Sequence, residues 1–144
     1  MFSKACQYGI KASVYIASQS AMGNRASLKE IASKINSPEA FTAKILHQLA
    51  KKDILTSLKG PTGGFEILDG RAEVIRLSHI VEAIDGDSIY VGCALGYNRC
   101  DARQPCPMHN KFADIRNNLR IMLENTSLEE LANGLDIGMS FLKR

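Results

Sequence analysis

Residues 54–68 read Ile54-Leu-Thr-Ser-Leu-Lys-Gly-Pro-Thr-Gly-Gly-Phe-Glu-Ile-Leu68, two short β-prone runs separated by a turn rich in glycine and proline. Ile54 to Leu58 and Phe65 to Leu68 are the predicted strands; the turn between them calls for positive φ angles and close backbone approach, which glycine supplies. By itself the segment is an ordinary hairpin. Its unshielded amides and the charge of Lys59 also suit contact with a phosphate backbone or a minor groove, with Lys59, Gly60, Thr62, Gly63 and Gly64 as the contacting residues.

What precedes the hairpin decides between these readings. Ser27-Leu28-Lys29-Glu30 is a capping-box pattern, and Leu28, Ile31, Ala32 and Ile35 give the short helix that follows a buried side. After Asn36, Ser37 followed by Pro38 and Glu39 predicts a second helix start, running to about Lys52. At 100° per residue Phe41, Ile45 and Leu49 share one side with Thr42 and Leu46 beside them, while Ala40, Ala43, Lys44, His47 and Lys51 face away. Two short helices and then a hairpin make a winged helix-turn-helix, whose second helix enters a DNA major groove. Ala40, Lys44, His47 and Lys51 are then the groove-facing residues, Lys51 a phosphate contact and Lys44 a candidate base reader. The competing reading is an amphipathic helix with a solvated basic face. Upstream, residues 3–19 carry an apolar stripe of Cys6, Ile10, Val14 and Ala17 behind a Ser3 cap, with Cys6 read as a small core residue.

Downstream, Leu77, Ile80, Val81 and Ile84 mark a helix that Gly86 ends, with His79 beside its buried stripe as a structural residue. Residues 87–107 lose periodicity and read as a loop. Met108, Phe112, Ile115, Leu119 and Met122 then form a narrow apolar seam along a helix of about 17 residues, suited to pairing with a second copy in the two-fold arrangement a palindromic DNA site requires. Thr126 to Glu129 reads as another capping box, opening a last helix that Gly134 ends. The chain is thus predicted to be mainly α with a small β-hairpin: a winged helix-turn-helix domain over residues 1–76, then a cysteine loop and dimerisation helices over 77–144.

Composition agrees with this division. The 144 residues carry a net charge of +3. The front 76 hold eleven lysines and arginines against six acidic residues and the rest seven against nine, so the halves stand at +5 and −2, an asymmetry that points the front half at a polyanion. With 45% hydrophobic residues and no apolar run near the ~18 of a spanning helix, a globular, cytoplasmic protein without membrane contact is expected. No constellation of substrate-binding or nucleophilic residues suggests an enzyme.

Of four cysteines, three lie in the loop as Cys93-x6-Cys100-x5-Cys106-x2-His109. Soft thiolates with one imidazole suit an iron–sulfur cluster, zinc, or a redox thiol group. Structural zinc usually shows paired Cys-x2-4-Cys knuckles, which are absent, although Cys106-Pro107-Met108-His109 has close spacing.

Tyr8-Gly9-Ile10, the helix pair, the Lys59-Gly-Pro-Thr-Gly-Gly-Phe65 signature, the helix Leu77-Ser-His-Ile-Val-Glu-Ala-Ile-Asp-Gly86, the cysteine loop and the long helix together resemble the bacterial Rrf2 family of winged-helix regulators, which includes the IscR-type and NsrR-type proteins. The resemblance covers nearly the whole chain. It implies a homodimer that binds promoter DNA and holds one iron–sulfur cluster per protomer through Cys93, Cys100 and Cys106, controlling transcription by cluster state. His109 is similar to the histidine that completes a 2Fe–2S cluster in the IscR type, which favours 2Fe–2S over 4Fe–4S. Three departures stand out: the first gap is six residues where five is usual, Gln7 stands where the nitric oxide sensors place a ligating aspartate, and Ala43 replaces a glutamate of the recognition helix. A cluster-free or zinc-holding repressor, regulated by thiol oxidation or a partner protein, is the alternative.

Overall fold

The computed structural model describes all residues, Met1–Arg144. Helix α1 spans Lys4–Ala21, and the Ser3 side chain caps it by accepting from the Cys6 amide at 3.0 Å. Helix α2, Leu28–Ile35, begins with the expected capping box: Ser27 Oγ accepts from Glu30 N, and the Glu30 carboxylate accepts from Ser27 N. A left-handed Asn36 turns the chain into α3, Glu39–Lys51. Here the N-cap is Pro38 rather than Ser37. The Ser37 hydroxyl is engaged with Thr42 Oγ1, which donates to the Pro38 carbonyl at 2.8 Å, so no side chain caps this end.

The strands are shorter than the apolar runs suggest: β1 is Thr56–Leu58 and β2 Gly64–Glu66, paired antiparallel with Ser57 opposite Phe65. Ile54, Leu55 and Ile67 are buried as core side chains outside the ladder. A third stretch completes the wing. Ala26 and Phe65 exchange both backbone hydrogen bonds, 3.0 and 2.8 Å, joining the α1–α2 connection to β2.

One-turn helix α4, Arg71–Val74, leads into α5, Leu77–Asp85, which Gly86 ends at φ +70°. A second one-turn helix, α6, covers Ser88–Val91 inside the segment expected to be irregular. Helix α7 spans His109–Asn125. Ser127 alone caps α8, Leu128–Asp136, by accepting from Glu130 N. The acceptance is thus one residue later than the pattern at Thr126 suggests, and the helix passes through Gly134 to end at Asp136.

One core runs through the chain, from Cys6, Ile16 and Ile31 through Ile45, Leu46 and Leu49 to Ile80, Val81, Leu123 and Leu128. Each of the larger side chains contributes about 1.5–3 kcal/mol on leaving water. Phe41 departs from the predicted buried stripe: it is 37% exposed and meets the Tyr8 ring edge-on at 5.7 Å between centroids. Isolated pairing of Arg76 with Ser127 ties the entry of α5 to that of α8. No helix is long and apolar enough to cross a membrane.

Candidate functional site

Burial of Ile45, Leu46 and Leu49 against α1 and α2 fixes the rotation of α3 and leaves Ala40, Lys44, His47 and Lys51 exposed along one stripe. Thr42 is fully buried. Gln48, exposed beside His47, belongs to the same surface and escapes a search for charge alone; its amide is of the type that reads a base edge.

The wing presents Lys59, Gly60 and Thr62 to solvent. Gly60, at φ +98°, has open space where a Cβ would stand. Gly63 and Gly64 serve the hairpin itself. The Gly63 amide donates to the Gly60 carbonyl, and a Cβ on Gly63 would lie 2.2 Å from the Leu58 oxygen. Gly64, at φ +135°, leaves only 2.7 Å between a Cβ position and the Ala26 oxygen.

Arg25 holds this wing from the side. Its Nε donates to Glu66 Oε2 and its Nη1 to the Thr62 carbonyl, both at 3.2 Å. The pair is exposed and adds little stability, but it ties the turn to the α1–α2 connection. Arg25→Ala should therefore weaken promoter binding several-fold in a gel-shift titration while shifting the melting temperature by less than about 2 °C.

The loop between α6 and α7 brings the chemistry together. Cys93, Cys100, Cys106 and His109 line one cavity of about 540 Å³, with Tyr97, Asn98 and Asp101 on its wall. Cys100 Sγ lies 3.1 Å from His109 Nδ1. The Cys93 thiol is held below the usual cysteine range, chiefly by backbone N–H groups of Leu95 and Tyr97 directed at its sulfur, partial burial opposing them. No three of the donors converge as the ligands of a single ion would. Arg116, on α7, donates from Nη2 to Cys100 Sγ and from Nη1 to the Gly92 carbonyl, each at 3.1 Å. A count of ligand residues gives no reason to select it.

The remaining candidates lie apart from this cavity. Cys6 is in the core, where burial and then the nearby Asp85 carboxylate push its thiol up to about 12. Gln7 donates to the Phe2 carbonyl at 3.1 Å. His79 is exposed and structural: its Nδ1 accepts from Arg76 N and caps α5. On α7 the seam divides. Phe112 and Leu119 are partly covered by their own chain, Ile115 and Met122 are 56% and 46% exposed, and Met108 is the N-cap residue just outside the helix.

Comparison with known proteins agrees with this arrangement. A family model described as Rrf2, iron-dependent transcriptional regulator, matches residues 2–134. A putative HTH-type transcriptional regulator of Aquifex aeolicus is 28% identical over 135 residues, 92% of each chain. The HTH-type transcriptional regulator IscR of Yersinia enterocolitica is 26% identical over 98 residues, 68% of this chain and 58% of that one. Among solved structures, CymR, the global cysteine regulator of B. subtilis, superposes with a TM-score of 0.76 at 21% identity, covering 92% of this chain and 96% of its own. With winged-helix architecture, an outward basic helix and a family match over nearly its whole length, the chain belongs to the Rrf2 family of transcriptional regulators, DNA-binding proteins rather than enzymes.

Proposed function

We propose that the protein is a homodimeric promoter-binding regulator whose DNA affinity follows the state of an iron–sulfur cluster held by Cys93, Cys100, Cys106 and His109. The observation that carries this reading is the grouping of those four donors around one cavity, with Cys100 and His109 in contact. Three thiolates and one imidazole are the soft donors an iron–sulfur cluster takes, and their spacing lacks the paired knuckles of structural zinc. The name of the IscR relative adds to it. Such a cluster supplies a one-electron redox change and sensitivity to oxidants.

The chain's own residues do the rest. Lys44, His47, Gln48 and Lys51 enter the major groove and Lys59 follows the backbone beside it. Ile115 and Met122, exposed on α7, meet their counterparts in a second copy, so that two recognition helices stand about 34 Å apart on a palindromic site. Residues 92–107 connect the two functions, because they run directly into α7.

A second reading rests on Cys93, Cys100 and Cys106 lining the same cavity as free thiols: without a cluster, oxidation of two of them to a disulfide by a peroxide would make the same loop a thiol switch. Anaerobic reconstitution with iron and sulfide, followed by metal analysis, an absorption spectrum and gel shifts of loaded and apo protein, decides between them. The cluster reading expects two irons and two sulfides per chain and different promoter affinities in the two forms. Colourless protein after reconstitution overturns it, and reversible loss of binding with peroxide and dithiothreitol then supports the thiol switch. In either case Lys51→Ala should weaken binding to all sequences and lower the salt slope by about one.

A further inference from the structure

We infer that Arg116 is the positioning residue that latches the sensor loop onto α7 and sets the electronic state of the Cys100 sulfur; its second role rests on the cluster reading above.

The hydrogen bonds of residues 92–107 are almost entirely local. Gly96 N reaches Cys93 O, Gln104 N reaches Asp101 O, and Asp101 collects Arg99 and the Arg103 amide. Apart from the Gly92 amide on α6 and the His109 amide on the Cys106 carbonyl where the loop enters α7, the bonds that leave the loop go to two side chains, His109 and Arg116. These stand seven residues apart on α7, two turns along one stripe of the helix. Apolar side chains contribute little to holding the loop, since Val91, Leu95 and Tyr97 are each more than half exposed.

The guanidinium is well suited to a latch. Its planar fork places Nη1 on the Gly92 carbonyl, at the beginning of the loop, and Nη2 on Cys100, at its middle. No carboxylate pairs with Arg116, so its charge is directed at the sulfur without competition from an acidic partner. A donor to a sulfur that ligates iron stabilises the more reduced, more negative cluster and raises its potential. One side chain thus reaches both the ligand and the helix that bears the exposed Ile115 and Met122.

The test uses the full-length chain as wild type, Arg116→Gln and Arg116→Lys. Glutamine is a good helix former, and a thermal melt confirms that the fold survives. The first readout is trypsin cleavage of apo protein after Arg99 and Arg103, whose side chains are 72% and 84% exposed. Arg116→Gln should be cut there at least several-fold faster than wild type, with Arg116→Lys between them. The second readout is an anaerobic redox titration of reconstituted protein, in which Arg116→Gln should titrate at a lower potential and Arg116→Lys recover part of the shift. Equal cleavage rates overturn the latch, and equal potentials overturn the electronic role. A wild-type chain that takes up no iron defeats the cluster reading and with it the electronic role, while cleavage of the apo proteins still decides the latch.

Discussion

Gly64→Ala should abolish specific promoter binding and lower the melting temperature by about 10 °C. At φ +135° the residue occupies a region that side chains other than glycine rarely adopt, with a strain of about 1–3 kcal/mol. An added methyl would also meet the Ala26 oxygen at 2.7 Å, and that atom is backbone inside a paired bridge, unable to swing aside. Relief requires opening the two Ala26–Phe65 hydrogen bonds, each contributing about 0.5–1.5 kcal/mol. The combined loss is about 3 kcal/mol, and for a chain of this size each kcal/mol moves the midpoint by roughly 3 °C. Gly60→Ala is the control. Gly60 has a positive φ but open space around it, so only about 1 kcal/mol of strain is expected. Calorimetric melts of the two variants that coincide would remove the argument from the wing.

Cys106→Ser should reduce the iron retained after reconstitution to less than a tenth of wild type and leave promoter affinity at its apo value whether or not iron and sulfide are supplied. Serine keeps the size of the side chain but is a much poorer ligand for iron than a thiolate. One of the four donors around the cavity is thereby lost. The apo fold should be indifferent: Cys106 is half-buried in a loop remote from the core, and its melt should stay within about 0.5 kcal/mol of wild type. Iron retention equal to wild type, in protein that melts normally, would exclude Cys106 from the ligand set. Cys6→Ser is the matched control, expected to load fully, at some cost in stability because it puts a hydroxyl into the core.

Helices whose ends are written in local chemistry were legible from the residues. The Ser27 and Glu30 box and the Ser3 cap depend on side chains three positions away, and the apolar positions of α3 follow from 100° per residue. Ser37 misled because its hydroxyl is engaged with Thr42, a contact the spacing does not reveal. Helices α4 and α6 escaped because four residues are too few to show a period. At the site, the donors were readable as residue types, since thiols in a short loop are conspicuous. Arg25 and Arg116 were not, because each acts across a distance in sequence, 37 residues to Thr62 and 24 to Gly92, that only the folded chain closes. The glycines of the wing were found for the right conformational reason but with an incomplete role, since their space is taken by the Leu58 and Ala26 carbonyls.

Helix α7 is fully buried only at Leu123, in its final turn. His109, at the other end, lies about 21 Å away along the axis at 1.5 Å per residue. The helix would therefore act as a lever, its pivot set in the core and its more lightly packed arm, resting on α5 and α6, carrying the sensor contacts. A tilt of about 5° at Leu123 would carry the His109 end through about 2 Å over that length, enough to break a hydrogen bond at the tip while hardly disturbing the packing at the fulcrum. On the proposed sensing role, small events at the sulfurs would thus acquire mechanical advantage, and Ile115, near mid-arm, would pass about half of that travel to whatever covers it.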